Sequence, residues 1–167
     1  DQVSDEGAPP LRTLQDFLSV HHLDELIRIV HVLPCFPSSS DDGFSVIDYR
    51  AVDSQLGGWD DLEALGKRFD LAVDLVINHV SSQSIWFQNC LRGESPYDGY
   101  FLDTDPKADL SGVVRPRSSP LLTEYDTAAG PKYFWTTFSP DQVDLNFANP
   151  AVFAEMLDVL LFYIRKG

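Results

Sequence analysis

Cysteine is scarce. The 167 residues hold two, Cys35 and Cys90, too few for a disulfide framework and in keeping with a reducing compartment. The chain opens on Asp1-Gln2-Val3, without a methionine and without a basic-then-apolar leader. It therefore reads as cut at its front end, and a cytoplasmic location is expected. Positive charge is sparse too: 12 Lys and Arg stand against 26 Asp and Glu, for a formal net charge of −14. Such a chain lacks the basic footprint of a nucleic-acid binder, and an anionic membrane surface repels it. No apolar run approaches the about 18 residues of a membrane span. Any anion it binds must be held by a few locally placed arginines.

What is present is one globular domain's worth of material, 44% apolar and 12% aromatic, with an ordinary 23% of charged residues. Residues 11–20 carry Leu11, Leu14, Phe17 and Leu18 at helical spacing. Residues 27–33 (IRIVHVL) form a buried-strand pattern stopped by Pro34. A turn-rich loop, 37–43, follows. Residues 59–69 (WDDLEALGKRF) predict an amphipathic helix, 71–77 (LAVDLVI) a second apolar strand, and 85–91 a short helix. From 93 to 149 no long period survives, and a span of that length points to a functional insertion or a small subdomain. Asn149-Pro150 then opens a last helix with a cap and an N1 proline. Helices alternating with apolar strands predict α/β with a parallel sheet. Two strands cannot complete such a sheet, so the chain reads as a piece of something larger.

In parallel α/β folds ligands gather beyond the carboxyl ends of the strands. That singles out the loop with Asp41, Asp42 and Phe44, and the pair Asn78-His79. Each has a plainer reading: Asp in a Ser/Gly loop is commonly a turn residue, and Asn-His after a strand a loop start or cap. Asp74 lies within an apolar run, so a buried carboxylate there would need a partner to orient. Arg115-Pro116-Arg117 directs two guanidiniums to one side of an extended segment, a geometry that suits an anion or is simply a solvated pair. The insertion's aromatics, Phe138 among them, fit sugar stacking or a small core.

On these residues the chain resembles a known family. Asp74-Leu75-Val76-Ile77-Asn78-His79 matches the D-x-x-x-N-H motif at the third barrel strand of the α-amylase superfamily, glycoside hydrolase family 13. Asp41-Asp42-Gly43-Phe44 is similar to its loop after the second strand, and Gln142-Val143-Asp144-Leu145-Asn146 to its Q-x-D-L-N signature. The runs HVLPCFPSSSDDGFSVIDYRAVD, INHVSSQS and RPRSSPLLT resemble the sucrose phosphorylase branch. The forms RPRSSPLLT and WTTFSPDQVDLN look closer to relatives acting on glucosylglycerate, glucosylglycerol or sucrose 6-phosphate. Val114 stands where the sucrose enzymes commonly carry an aromatic, so the resemblance does not choose the acceptor.

The resemblance implies a partial (β/α)8 TIM barrel, about strands two and three with flanking helices, plus the small irregular domain inserted after strand three. The boundaries it implies are 1–92 for the partial barrel, 93–148 for the insertion and 149–167 for the barrel helix that follows. It further implies that Asp41 and His79 bind glucosyl hydroxyls and that Phe44 is the platform beneath the ring. Phe138 and Gln142 would sit near the donor–acceptor junction, and Arg117 with Arg115 would admit phosphate or an anionic acceptor. Asp74, Asn78 and Asp144 would be structural within the site. Asn78 occupies a calcium-ligating position in many amylases, but the phosphorylase branch implies no metal, and no cofactor is called for. The partners expected are a small sugar and phosphate. The nucleophile and the acid/base would lie beyond Gly167, so the parent enzyme is expected to be a retaining glycoside phosphorylase and these residues alone to be inactive. An amylase-like hydrolase and a non-catalytic sugar-binding remnant are the competing readings, and phosphate dependence separates the first of these from a phosphorylase.

Overall fold

Two of the apolar runs pair in parallel. The structure, a computed structural model, describes residues 3, 5–114 and 117–167. In it β1 (Ile29–Val32) lies beside β2 (Asp70–Val73), in register from Ile29 opposite Asp70 to Val32 opposite Val73. Helix α1 (Pro10–Val20) precedes the pair, and α2 (Trp59–Gly66) lies in the crossover between the strands. Both strands are shorter than their apolar runs. β1 stops before Pro34, which has no amide to donate, and β2's ladder ends at Val73, where its partner ends. Asp74 is therefore just past the strand rather than inside it. The full burial expected of these runs is not met either: Ile29 and Leu33 are each 62% exposed, because a two-stranded sheet keeps open edges.

One buried carboxylate fastens the two helices of this unit. Asp61, at the third position of α2, accepts the Gly58 amide at 2.9 Å and so caps the helix. The same group takes the Arg12 guanidinium of α1 at 3.1 and 2.9 Å. The turn leading in requires glycine, since Gly57 has φ +142° and a Cβ there would come within 2.8 Å of the Asp61 carboxylate. The last helix, α4 (Pro150–Lys166), ends here as well. Its Tyr163 stacks on Phe36 at 5.0 Å, Phe162 meets Trp59 edge-on at 5.1 Å, and Lys166 pairs with Glu63 at 3.0 Å.

The chain divides into two compact units. The first comprises residues up to Pro37, Tyr49–Leu75 and Val159–Gly167; the second comprises Ser38–Asp48 and Val76–Asp158. The loop after β1 and the segment from Val76 thus group with the insertion. Within that second unit the span without a period is ordered. β3 (His79–Ser81) pairs antiparallel with β6 (Gln142–Asp144), and β4 (Leu122–Thr127) forms a hairpin with β5 (Gly130–Trp135). β3 and β6 are three residues each, too short to show a period, and all six residues are buried. The hairpin turns through Ala128-Ala129 and closes on Gly130 at φ +105°.

Phe87 is the centre of this unit's core. It lies on α3 (Ile85–Leu91), whose first turn is capped by Ser84, the Oγ accepting the Phe87 amide at 3.2 Å. Fully buried, its ring meets Phe101, Tyr125 and Phe134 edge-on at 5.0, 4.8 and 5.1 Å. Phe87→Ala is expected to cost about 3–5 kcal/mol. Urea denaturation followed by aromatic circular dichroism checks this, and a loss below about 1 kcal/mol contradicts the packing described.

Candidate functional site

The second unit gathers most of the candidate residues, and it does so through backbone constraint. Asp41, Asp42 and Gly43 form a single tight turn with φ of +57°, +50° and +99°. Asp tolerates this left-handed region better than most residues, and Gly accepts it freely. Two successive aspartates there persist only where the surroundings over-determine them. The turn projects Asp41, which is exposed, and Phe44, which is half-buried. From the paired strands come His79 and Gln142, 5% and 1% exposed.

These residues meet. Gln142 Nε2 donates to Asp41 Oδ2 at 2.9 Å and lies 3.1 Å from His79 Nε2. The same His79 nitrogen is 3.0 Å from the Phe44 carbonyl. A ring nitrogen offers one hydrogen or one lone pair, so Nε2 serves Phe44 or Gln142, not both. With its hydrogen on Phe44, the second amide hydrogen of Gln142 is left for another acceptor, such as an incoming hydroxyl. The Phe138 ring lies over the imidazole, 5.0 Å between centroids and tilted by 52°. Burial pushes the His79 pKa below its ordinary value, opposed by the Phe44 carbonyl and the charges of Asp144 and Asp41. The ring is therefore neutral at neutral pH.

Asp144 pairs with His79 across the ladder and is buried. Burial raises its carboxyl, against hydrogen bonds donated by the Thr137 hydroxyl and by the Thr137 amide at 3.3 Å. Asn78 is exposed, and its carbonyl accepts the Leu145 amide at 2.9 Å. Arg117 is exposed. Two residues on, Ser119 donates to the Phe138 carbonyl at 3.3 Å, which ties that segment beside the aromatic. Arg115 lies outside the described residues. Asp74, in the first unit, is not among these contacts: it bonds His31 Nε2 at 2.9 Å. Its side chain is 29% exposed, so the burial expected of a mid-strand carboxylate is replaced by a half-wet hydrogen bond. Among the described residues no group of three or more His, Cys, Asp or Glu could hold a metal, and no helix is long and apolar enough to cross a membrane.

One residue of this site escaped the sequence reading. Asp141 Oδ2 accepts the hydroxyls of Ser39, Ser40 and Ser45 at 2.5, 2.6 and 2.8 Å, and its Oδ1 accepts Ser82 at 2.6 Å. Ser81 lies 2.6 Å from Ser39 and extends the chain of hydroxyls. Burial would raise this carboxyl, but the hydroxyl donors together hold it below its ordinary range. The available signal was compositional: serines flank both motifs, at 38–40, 45 and 81–82, and buried hydroxyls need an acceptor.

The α-amylase catalytic-domain family model matches residues 21–167. The chain belongs to the α-amylase catalytic-domain family, a TIM-barrel family. It is 52% identical over its whole length to a glucosylglycerate phosphorylase of Allomeiothermus silvanus, covering 30% of that protein. It is 45% identical to a glucosylglycerate phosphorylase of Escherichia coli, again covering 30% of it. Among solved structures, the sucrose 6F-phosphate phosphorylase of Thermoanaerobacter thermosaccharolyticum aligns over 94% of this chain and 35% of its own, with a TM-score of 0.85 and 30% identity. The chain thus spans about 30% of the length of the curated relatives it matches.

The buried imidazole sets a sign for stability against pH. The unfolded chain binds the His79 proton more readily than the folded one, so stability is full above pH about 6.5 and falls as pH drops below it. His79→Gln removes this component. Urea midpoints at several pH values between about 5 and 8 check it, and an unchanged difference between the two proteins contradicts it.

Proposed function

We propose that this chain is part of a retaining glycoside phosphorylase that transfers α-glucosyl between a small acceptor and phosphate, with glucosylglycerate as the preferred substrate. The observation that carries the reading is the meeting of an exposed Asp41 carboxylate with the buried Gln142 amide and the neutral His79 imidazole, beside Phe44 and Phe138. The 52% identity to a glucosylglycerate phosphorylase supports the choice of acceptor, against 33–37% for sucrose and sucrose 6-phosphate phosphorylases such as those of Bifidobacterium adolescentis and Thermoanaerobacterium thermosaccharolyticum. In fold terms the chain would supply about strands two and three of the barrel with their helices, and the inserted segment.

In this reading Phe44 is the flat wall beneath the glucosyl ring. Asp41 accepts hydrogen bonds from sugar hydroxyls, and Gln142 and His79 donate to or accept from their neighbours. Such contacts accelerate the reaction to the extent that they tighten as the ring flattens toward an oxocarbenium ion. A neutral His79 offers direction without a competing positive charge. Phe138 excludes water, which is what lets phosphate compete as the acceptor. Arg117, with Arg115, gives an anion a local foothold on a protein of net charge −14. Retention needs two carboxyl groups about 5–5.5 Å apart, one a nucleophile and one an acid/base. Those would come from residues outside these 167, leaving Asp74 and Asn78 structural.

The test places this chain in the Allomeiothermus silvanus phosphorylase in place of the segment it matches. The chimera is expected to form glucose 1-phosphate from glucosylglycerate only when phosphate is present, and residues 1–167 alone to turn over nothing. Release of free glucose at the same rate without phosphate would favour the hydrolase reading. Turnover by the isolated chain would overturn the division of labour. In the chimera, Arg117→Ala is expected to raise KM for phosphate about tenfold with kcat little changed.

A further inference from the structure

We infer that Asp141 is a positioning residue for the glucosyl-binding residues, holding the 41–44 turn onto the strand that carries Gln142 by gathering serine hydroxyls from both ends of the turn. The inference rests on the proposed function for its purpose, but the geometry that carries it is independent of any sugar. Ser39 and Ser40 immediately precede Asp41, and Ser45 immediately follows Phe44; all three donate to one carboxylate oxygen at 2.5–2.8 Å. The other oxygen takes Ser82, from the residue following β3, and the Asp141 carbonyl takes the Ser82 amide at 2.8 Å. Gln142 is the next residue.

The turn's own backbone closure consists of the Phe44 amide on the Asp41 carbonyl at 3.0 Å, the Ser39 amide on the Ser45 carbonyl at 3.1 Å and the Ser45 amide on the Ser40 carbonyl at a long 3.3 Å, with a Ser38–Val46 bridge at its base. Two consecutive non-glycine residues at positive φ, Asp41 and Asp42, oppose that closure. Bonds to an ionised acceptor are roughly twice as strong as neutral ones, so a carboxylate outweighs the strain where a neutral side chain would not. The registration it imposes is what sets Asp41 at 2.9 Å from Gln142 and the Phe44 carbonyl at 3.0 Å from His79. Asp141 touches none of the substrate-facing atoms itself. It acts through the turn, and a change there should be read at His79.

The experiment is an NMR titration of the His79 imidazole together with amide exchange of residues 39–45, in the 167-residue chain and its Asp141→Asn variant. Asp41 and Asp144 are the charged groups facing His79, and both stay in place in the variant. With the acceptor charge removed, the turn is expected to loosen and admit water. The His79 titration then moves up toward its ordinary value, and the Ser39 and Ser45 amides exchange at least about tenfold faster, while amides of β1 and β2 are unchanged. An unaltered His79 titration with unaltered loop exchange overturns the inference. If Asp141→Asn does not fold, Ser40→Ala decides: it removes one exposed arm, and is expected to shift the same two signals in the same direction by less. No shift in Ser40→Ala would then count against the inference. Adding glucose separates the two proposals. A variant that loosens the turn, in a protein whose wild type shows no glucose-dependent shift at His79, would leave the positioning role standing and remove its proposed purpose.

Discussion

A carboxylate accepting four hydroxyl hydrogens is the constraint on which the cluster of Asp41, Phe44, His79 and Gln142 in the second unit depends. Asp141 has no strand partner of its own, yet the turn at 41–44, the end of β3 and the start of β6 are each bonded to it or to its neighbour. The serines are cheap donors: each is small enough to sit in a tight turn, and each loses little rotamer freedom on binding. Their convergence holds a strained backbone through hydroxyl dipoles, in a chain whose two cysteines are buried and free. Strain of this kind is normally released by local unfolding, so the bonds that resist it decide whether the site exists.

The electrostatics follow from the same arrangement. Asp41, Asp141 and Asp144 crowd one small region of an acidic protein. Each is managed differently. Asp141 is neutralised by dipoles, Asp144 is buried with its carboxyl raised, and Asp41 is left exposed with one amide donor. Of the three, Asp41 is the exposed one, so its acceptor oxygens are the most open to a ligand. His79 stays neutral because burial outweighs the nearby negative charges, which keeps one nitrogen able to switch between Phe44 and Gln142. A polar ligand of net zero charge, such as a glucosyl ring, fits such a surface better than an anion does. In the proposed function, phosphate would therefore use the separate basic foothold at Arg117.

Much of this was legible in the sequence. The helices at α1, α2, α3 and α4 were legible from their patterns, and α4 also from the Asn149-Pro150 cap. The parallel pair followed from two apolar runs with a helix between. The family resemblance singled out Asp41, His79 and Gln142, and Gln142 lies within hydrogen-bonding reach of both Asp41 and His79. What was not legible depends on partners distant in sequence. β3 and β6 are strands only because they pair with each other, and three residues carry no period. The hairpin was hidden by an Ala-Ala-Gly turn in place of the usual Asn-Gly signal. Asp74 looked buried because its run was apolar, but the ladder stops one residue earlier and His31 takes its carboxylate instead. Asp141 carries no local signal, since nothing nearby in the sequence links it to serines some 60 to 100 positions away.

The central claim is that Asp41, Phe44, His79 and Gln142 together hold a glucosyl ring. A crystal structure of the chimeric phosphorylase with glucosylglycerate bound tests it most directly. The account predicts the ring lying on Phe44, with hydroxyls within about 3 Å of the Asp41 carboxylate and of a His79 or Gln142 nitrogen. A ring bound elsewhere, with Asp41 still bonded only to Gln142, would contradict it.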